Sequence, residues 1–402
     1  MSLIKFHAIK AILTSEYWLI VSLSGAFFFF FALNRGGVEV CIKVTGVFLI
    51  INVLLGKYPI KKIPSFHLVT AAICTYLLLA SVLVSPQHSH TRWMVNLVKM
   101  LSIVFSIHYL GQKEIDDRIP LLFCALVVLS VCWQFAARDL YNMPFGTFTN
   151  HHYLASFALS ALPMIIYFFC ITTGWYKFVF VPIAIMDAEL LLRTGSGPAL
   201  LGITCAALFV IVFLTKGRRK WIGMALVFLV FGALYVTQYA DAAPRIEELI
   251  VNLTREERVQ FWTQAWNHLK DNAMIAWIFG HGIGYFPVIC VQDSEISQFV
   301  FPHCHFLEIL YLNGLVGVVL VFWGFTFLFF SVIRKIKQTS DKRMRTLLKC
   351  MLVVFLSWLI HSGLAFPFYS KYSIYSLAFI LGLLLVLITK KSGHQQVKQL
   401  SS

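Results

Sequence analysis

Twelve apolar runs of about 15–29 residues, parted by short polar segments, govern what this 402-residue chain can fold into. A hydrocarbon core about 30 Å thick takes roughly 20 residues of helix per crossing. No water reaches the backbone N–H and C=O groups there, so a segment that spans alone must be helical. The runs fall at 17–33, 38–55, 66–84, 93–110, 119–137, 151–171, 178–192, 198–214, 221–239, 305–333, 347–367 and 372–389. Composition agrees, with 59% hydrophobic and 13% charged residues against about 45–50% and 25% in a soluble domain. A soluble enzyme, a secreted disulfide scaffold and a nucleic-acid-binding domain are thereby excluded. The expected fold is an all-α polytopic membrane protein of about twelve transmembrane helices. It divides into residues 1–239 with spans one to nine, 240–304 as one large outer loop, and 305–402 with spans ten to twelve and a tail.

The net charge of +15 acquires meaning from its placement. With the N terminus inside, the inner segments hold 21 Lys and Arg and the outer segments nine, while Lys43, Lys99 and Lys349 fall within spans. The positive-inside bias puts both termini in the cytoplasm. The KGRRK and RKIKQTSDKRMR runs then read as solvated anchors beside anionic lipid, not as a polyanion site. The first apolar run lacks a small-residue cleavage pattern and is expected to stay as an uncleaved anchor. Of nine cysteines, seven lie in the runs and read as small buried hydrophobes. Cys290 and Cys304 lie on the outer side, where nothing in the sequence requires them to pair.

Every connection is short except 240–304, which concentrates the search for chemistry there. In ADAAPRIEELIVNLTREERVQFWTQAWNHLKD, apolar residues recur from Ile246 to Leu269 at three- and four-residue spacing, the pattern of an amphipathic helix. Arg258 precedes Trp262 and Trp266 by four and eight residues and shares their face. An unpaired cation facing the bilayer or bundle is costly, so Arg258 either serves a ligand, pairs with a carboxylate such as Glu308 or Asp187, or snorkels to headgroups. IFGHGIGYF follows, and its alternating glycines, Gly282 and Gly284 among them, fit close backbone approach to a phosphate or plain loop packing. PHCHFLEILYLNG then brings His303 and His305 to the start of span ten. His-x-His alone makes a poor metal site, because a catalytic zinc takes three protein ligands and no companion motif stands out. No metal or other cofactor is expected. What remains is a helix-capping role or a general base, for which an ordinary pKa of about 6.5 is suited.

A second constellation is Asp187, Glu189 and Arg193 at the outer end of span seven, followed by TGSGPALLG. Glu189 and Arg193 are spaced to pair along one helix face, yet ionisable groups at membrane depth are also functional candidates. Arginine forks hold phosphate oxygens bidentately, so two outer arginines with a histidine suit an anionic headgroup.

On these residues the sequence resembles the O-antigen ligase and polymerase superfamily of bacterial inner-membrane glycosyltransferases, and among them the ligases. ERVQFWTQAW looks like the family's Arg-x-x-x-Trp/Tyr helix, and HCHFLEILYLNGLVG like its His-Asn-x-x-Leu followed by Gly-x-x-Gly. Counted back from Gly314 and Gly317, the family histidine falls on His303, with Cys304 standing where asparagine is usual and His305 a possible substitute. LLRTGSGPALLG resembles the family's Thr-x-Ser-Arg-Gly-Ala segment but has Gly197 in place of the arginine, with Arg193 four residues earlier. The resemblance implies a GT-C-like glycosyltransferase that moves a polysaccharide from undecaprenyl diphosphate to a sugar hydroxyl of lipid A–core at the periplasmic face. It implies His303, Arg258 and Arg193 as catalytic residues, with His305, Trp262, Glu308, Gly282 and Gly284 as substrate-binding residues. Transfer would be inverting and metal-independent.

Two other readings use the same features. A polymerase takes the same donor and differs only in acceptor. A twelve-span transporter or flippase fits the helix count, but spans six and seven are joined only by TTGWYK, without the long link between halves that such transporters carry. A transporter also leaves the outer loop without a purpose.

Overall fold

The computed structural model describes residues 15–28, 35–56, 65–84, 91–111, 118–141, 148, 150–218, 220–225, 227–229, 257–270, 273–283, 304–365 and 368–389. Among the described residues, all regular structure is helical. The chain runs through α1 (Ser15–Phe28), α2 (Arg35–Leu54), α3 (Ser65–Val84), α4 (Thr91–Gly111), α5 (Arg118–Tyr141), α6 (His151–Ile171) and α7 (Phe180–Arg193). It continues through α8 (Gly197–Leu214), α9 (Glu257–Lys270), α10 (Met274–Phe279), α11 (His305–Gln338), α12 (Lys342–Ala365) and α13 (Lys371–Thr389).

Eleven of the twelve expected spans coincide with a helix, while of 221–239 only the first residues are described. By length and composition six helices suffice to cross a membrane: Met94–Gly111 within α4, α6, α8, α11, α12 and α13. Shorter apolar helices cover Leu68–Leu83 and Ala125–Ala137. This is an integral, all-helical membrane architecture, with six qualifying helices among the described residues where twelve spans were expected.

α12 is the hub, packing against α8, α6, α11 and α13, while α13 packs along α4, and α1 pairs with α2. Without a hydrophobic drive between helices in lipid, close approach depends on small residues. Gly202 of α8 illustrates this: a Cβ there would come within 2.8 Å of the Ser357 carbonyl oxygen on α12. Gly111 and Gly382 do the same for α4 and α13, where an added Cβ would collide with Val386 and with Ile107 respectively. α6 starts on Asn150, whose side chain accepts the His152 N–H at 2.8 Å, an ordinary N-cap.

The expected single span at 305–333 is broken. Gly314 has φ 66° and ψ −172°, dividing α11 into a short first piece and a long second one. A Cβ at Gly314 would run into the Ile278 carbonyl, and one at Gly280 into the backbone of Leu312. Two glycines thus let the end of α10 and the break in α11 meet backbone to backbone. Side chains at either position are barred both by the left-handed φ and by the space.

Candidate functional site

Three consecutive carbonyls at the break in α11 find donors outside their own helix. Tyr311 O accepts from His281 N at 3.0 Å and Leu312 O from Gly282 N at 2.9 Å. Asn313 O accepts from the Tyr76 hydroxyl at 3.1 Å. The next amide along, Ile283 N, donates to Ser81 Oγ at 3.0 Å. Buried backbone groups must be paired somewhere, and here the glycine-rich segment after α10 supplies the pairing. The Gly282 amide is therefore committed to Leu312, and Gly280 and Gly282 pack against α11.

About a turn and a half before the break, Glu308 is fully buried and accepts two backbone amides, Phe368 N at 2.6 Å and Tyr369 N at 3.3 Å. The carboxyl so holds the turn that leads into α13. Tyr369 also donates its hydroxyl to Asn313 Oδ1, closing a second tie between the same two segments. His305 is buried at the start of α11 with its ring 5.8 Å from that of Trp358 and 5.2 Å from that of Phe368. The first turns of α11, the end of α12 and the start of α13 thus form one connected block.

Next to it, Glu39 of α2 takes salt bridges from Lys99 of α4 and from Lys371 of α13, the latter at 2.7 Å. The Tyr375 hydroxyl lies 3.3 Å from Glu39 Oε1 and 3.4 Å from Asn96 Oδ1. Two cations thus face one carboxylate, and this cluster carries one positive charge in excess. Tyr153 of α6 stacks on Tyr372 of α13 at 3.6 Å between ring centroids.

The turn between α7 and α8 reaches the same end. Ser196 Oγ lies 3.4 Å from His361 Nε2 on α12 and 3.4 Å from His152 Nδ1 on α6. The His151 ring sits 3.9 Å from that of His152. Arg193 pairs with Glu189 at 2.5 Å, and its side chain is 52% exposed. One guanidinium N–H group is used by that pair, and a guanidinium carries five. Asp187, a turn and a half earlier, is fully buried, and among the described residues neither of its carboxylate oxygens has a hydrogen-bond partner. It is not the counterion of Arg193.

The residues singled out from the sequence fall into three sets. His305, Glu308 and Gly282 come together around the first turns of α11. Trp262 lies half-buried on α9, which packs on α11, with Ala265 and Leu269 buried beside it on the same face. Arg193 stands at the end of α7, linked to this block through Ser196 and His361. His303 and Gly284, like Cys290 and the loop before residue 257, lie outside the described residues. Arg258 occupies the first turn of α9, and its side chain lies outside them as well.

Sequence reasoning passed over His361, Ser196 and the ion pairs of Glu39. His361 had a signal, since a histidine inside the apolar run VVFLSWLIHSGLA is an ionisable group at membrane depth. Among the described residues no three His, Cys, Asp or Glu are grouped so as to hold a metal ion.

Residues 182–322 match the family model described as O-antigen ligase. This segment runs from α7 to the middle of α11 and contains Arg193, Ser196, Arg258, Gly282, His303, His305, Glu308 and Gly314. No curated protein matches the chain.

Proposed function

Because the match over residues 182–322 supports assigning this chain to the O-antigen ligase family, we propose that it is the ligase that joins a finished polysaccharide to lipid A–core. The donor is the polysaccharide on undecaprenyl diphosphate, and the reaction takes place at the periplasmic face of the inner membrane. The observation that carries the reading is the gathering of the matched segment. The end of α7 and the start of α8 reach α12 at His361, and the first turns of α11 reach the same helix at Trp358, an arrangement that suits bringing a lipid-linked diphosphate and a glycan acceptor to one end of an apolar helix bundle.

In this mechanism Arg258 and Arg193 bind the diphosphate, Arg193 through the N–H groups that Glu189 leaves open. Charge developing on the leaving oxygens is neutralised without a metal. His303 takes the proton of the acceptor hydroxyl as its oxygen attacks the anomeric carbon from the face opposite the diphosphate. The new C–O bond forms as the sugar–phosphate C–O bond breaks, and undecaprenyl diphosphate departs with the bonding electrons. Configuration inverts. Glu308 and Gly282 shape the site by holding α11 against the turn before α13 and the segment after α10.

The test is a lipopolysaccharide gel of a deletion strain complemented with wild-type or Arg258→Ala genes, beside an assay of carrier-linked polymer. Bare lipid A–core with polymer held on the carrier, restored by wild type and not by Arg258→Ala, is the expected result. Core bearing a single repeat unit identifies a polymerase instead. Absence of both polymer and single units at the outer face identifies a flippase.

A further inference from the structure

Each glycan transfer releases one proton, and a base that accepts it must be neutral again before the next turnover. The buried trio at the meeting of α6, α8 and α12 has the geometry for that task. Ser196 Oγ stands 3.4 Å from His361 Nε2 and 3.4 Å from His152 Nδ1. A serine hydroxyl has one proton to give and lone pairs to receive. It cannot donate to both rings, and when one imidazole donates to Oγ while the hydroxyl donates to the other the chain has a direction.

Exposure is graded along it. His361 is fully buried, Ser196 is 2% exposed, and His152 is half-buried at the first turn of α6. The placement is built by the fold. Gly202 lets the α12 backbone approach α8 next to His361, and Asn150 fixes His152 by capping α6. The buried end lies one turn from Trp358, whose ring packs against His305, two residues along the chain from His303.

We infer that His361, Ser196 and His152 form a proton relay that carries the acceptor's proton away from the transfer site to the end of the bundle. The inference rests on the glycosyltransferase reading. Once the base that took the acceptor's proton gives it up to His361 Nδ1, the proton on Nε2 passes to Ser196 Oγ. The hydroxyl proton passes to His152 Nδ1, and His152 releases its Nε2 proton to water. One proton enters, one leaves, and every group ends neutral. None of the three touches the reacting sugar, so each is a positioning and proton-transfer residue. At this end of the packed elements the other ionisable groups are His151 and Tyr153 of α6, the Arg193–Glu189 pair and Asp187 of α7, His305 and Glu308 of α11, and Lys371 and Tyr372 of α13.

The experiment uses the full-length protein in nanodiscs with its two lipid-linked substrates, comparing wild type with Ser196→Ala, Ser196→Thr and His361→Gln. Glutamine retains a hydrogen-bonding side chain but cannot pass a proton through it. Ser196→Ala and His361→Gln should lower kcat by tenfold or more, leave both KM values within twofold, and make kcat rise with pH over a range where wild type is flat. Ser196→Thr, which keeps the hydroxyl, should recover most of the turnover. Variants that melt at the wild-type temperature and turn over at the wild-type rate overturn the relay. So does a fall in kcat that tracks a fall in melting temperature with an unchanged pH profile. A readout independent of activity is the ¹⁵N spectrum of labelled histidine, in which Ser196→Ala should move the His152 and His361 signals together. Movement of one alone, or of neither, overturns the relay. A wild-type protein that transfers no glycan overturns the ligase reading instead, and the coupled histidine shift still decides whether the relay exists.

Discussion

Glu308 shows how a residue flagged for ligand binding is also held by the fold. Both of its oxygens take amides, those of Phe368 and Tyr369. Truncation to Ala orphans two buried N–H groups at about 1–3 kcal/mol each, whereas Gln keeps one acceptor oxygen. Melting of the detergent-purified protein should therefore fall steeply in Glu308→Ala and much less in Glu308→Gln. Gly314 is constrained twice, by its φ of 66° and by the Ile278 carbonyl that any Cβ would strike. Gly314→Ala should cost about 3 kcal/mol or more, read in the same assay. The two histidines of His-x-His differ in surroundings. His305 is enclosed by Trp358 and Phe368, so His303→Ala should abolish transfer while His305→Ala damages it far less, as measured by restoration of the polysaccharide ladder. The opposite ranking moves the family register by two. Chelation should leave purified activity unchanged, and inhibition that added metal reverses makes the histidines a metal site.

At the scale of elements, the fit of α8 against α12 sets where Ser196 and His361 lie. Gly202→Ala drives a methyl to within 2.8 Å of the Ser357 carbonyl and must separate the helices. Gly363, on the same α12, has nothing within 4 Å of where an alanine methyl would stand, and Ala is about 1 kcal/mol better than Gly inside a helix. Melting should fall in Gly202→Ala and hold or rise in Gly363→Ala, and equal behaviour of the two refutes the close contact. On α9, Ala265 and Leu269 are buried while Trp266 is 39% exposed with its ring 5.7 Å from Trp277. The three- and four-residue spacing announced a helix with an apolar face. That the face meets α11 had no trace in the spacing.

For the whole molecule, the 21 to nine division of cationic residues predicts an orientation. The groups that meet around His361, His305 and Glu39 all stand at helix ends assigned outside, and Ser340, between α11 and α12, lies at ends assigned inside. In a cysteine-free background, a membrane-impermeant maleimide applied to permeabilised outer membranes should label Asn267→Cys and spare Ser340→Cys until the inner membrane is opened. The reverse pattern inverts the topology. The helices themselves were legible in the sequence, because hydrocarbon thickness and backbone satisfaction act on each run separately, and eleven of twelve runs meet a helix. Short motifs such as the histidines before LNGLVG were legible for the same reason, being local. The break at Gly314 was not, since it exists only where the segment after α10 meets two carbonyls of α11 and Tyr76 of α3 meets a third. Nor was the trio of His152, Ser196 and His361, whose members stand 44 and 165 residues apart. The sequence by itself determined a helical membrane chain and a family resemblance, and predicted an orientation. Only the tertiary structure decided which polar groups come together, because that depends on helices approaching at glycines far from the residues they bring together.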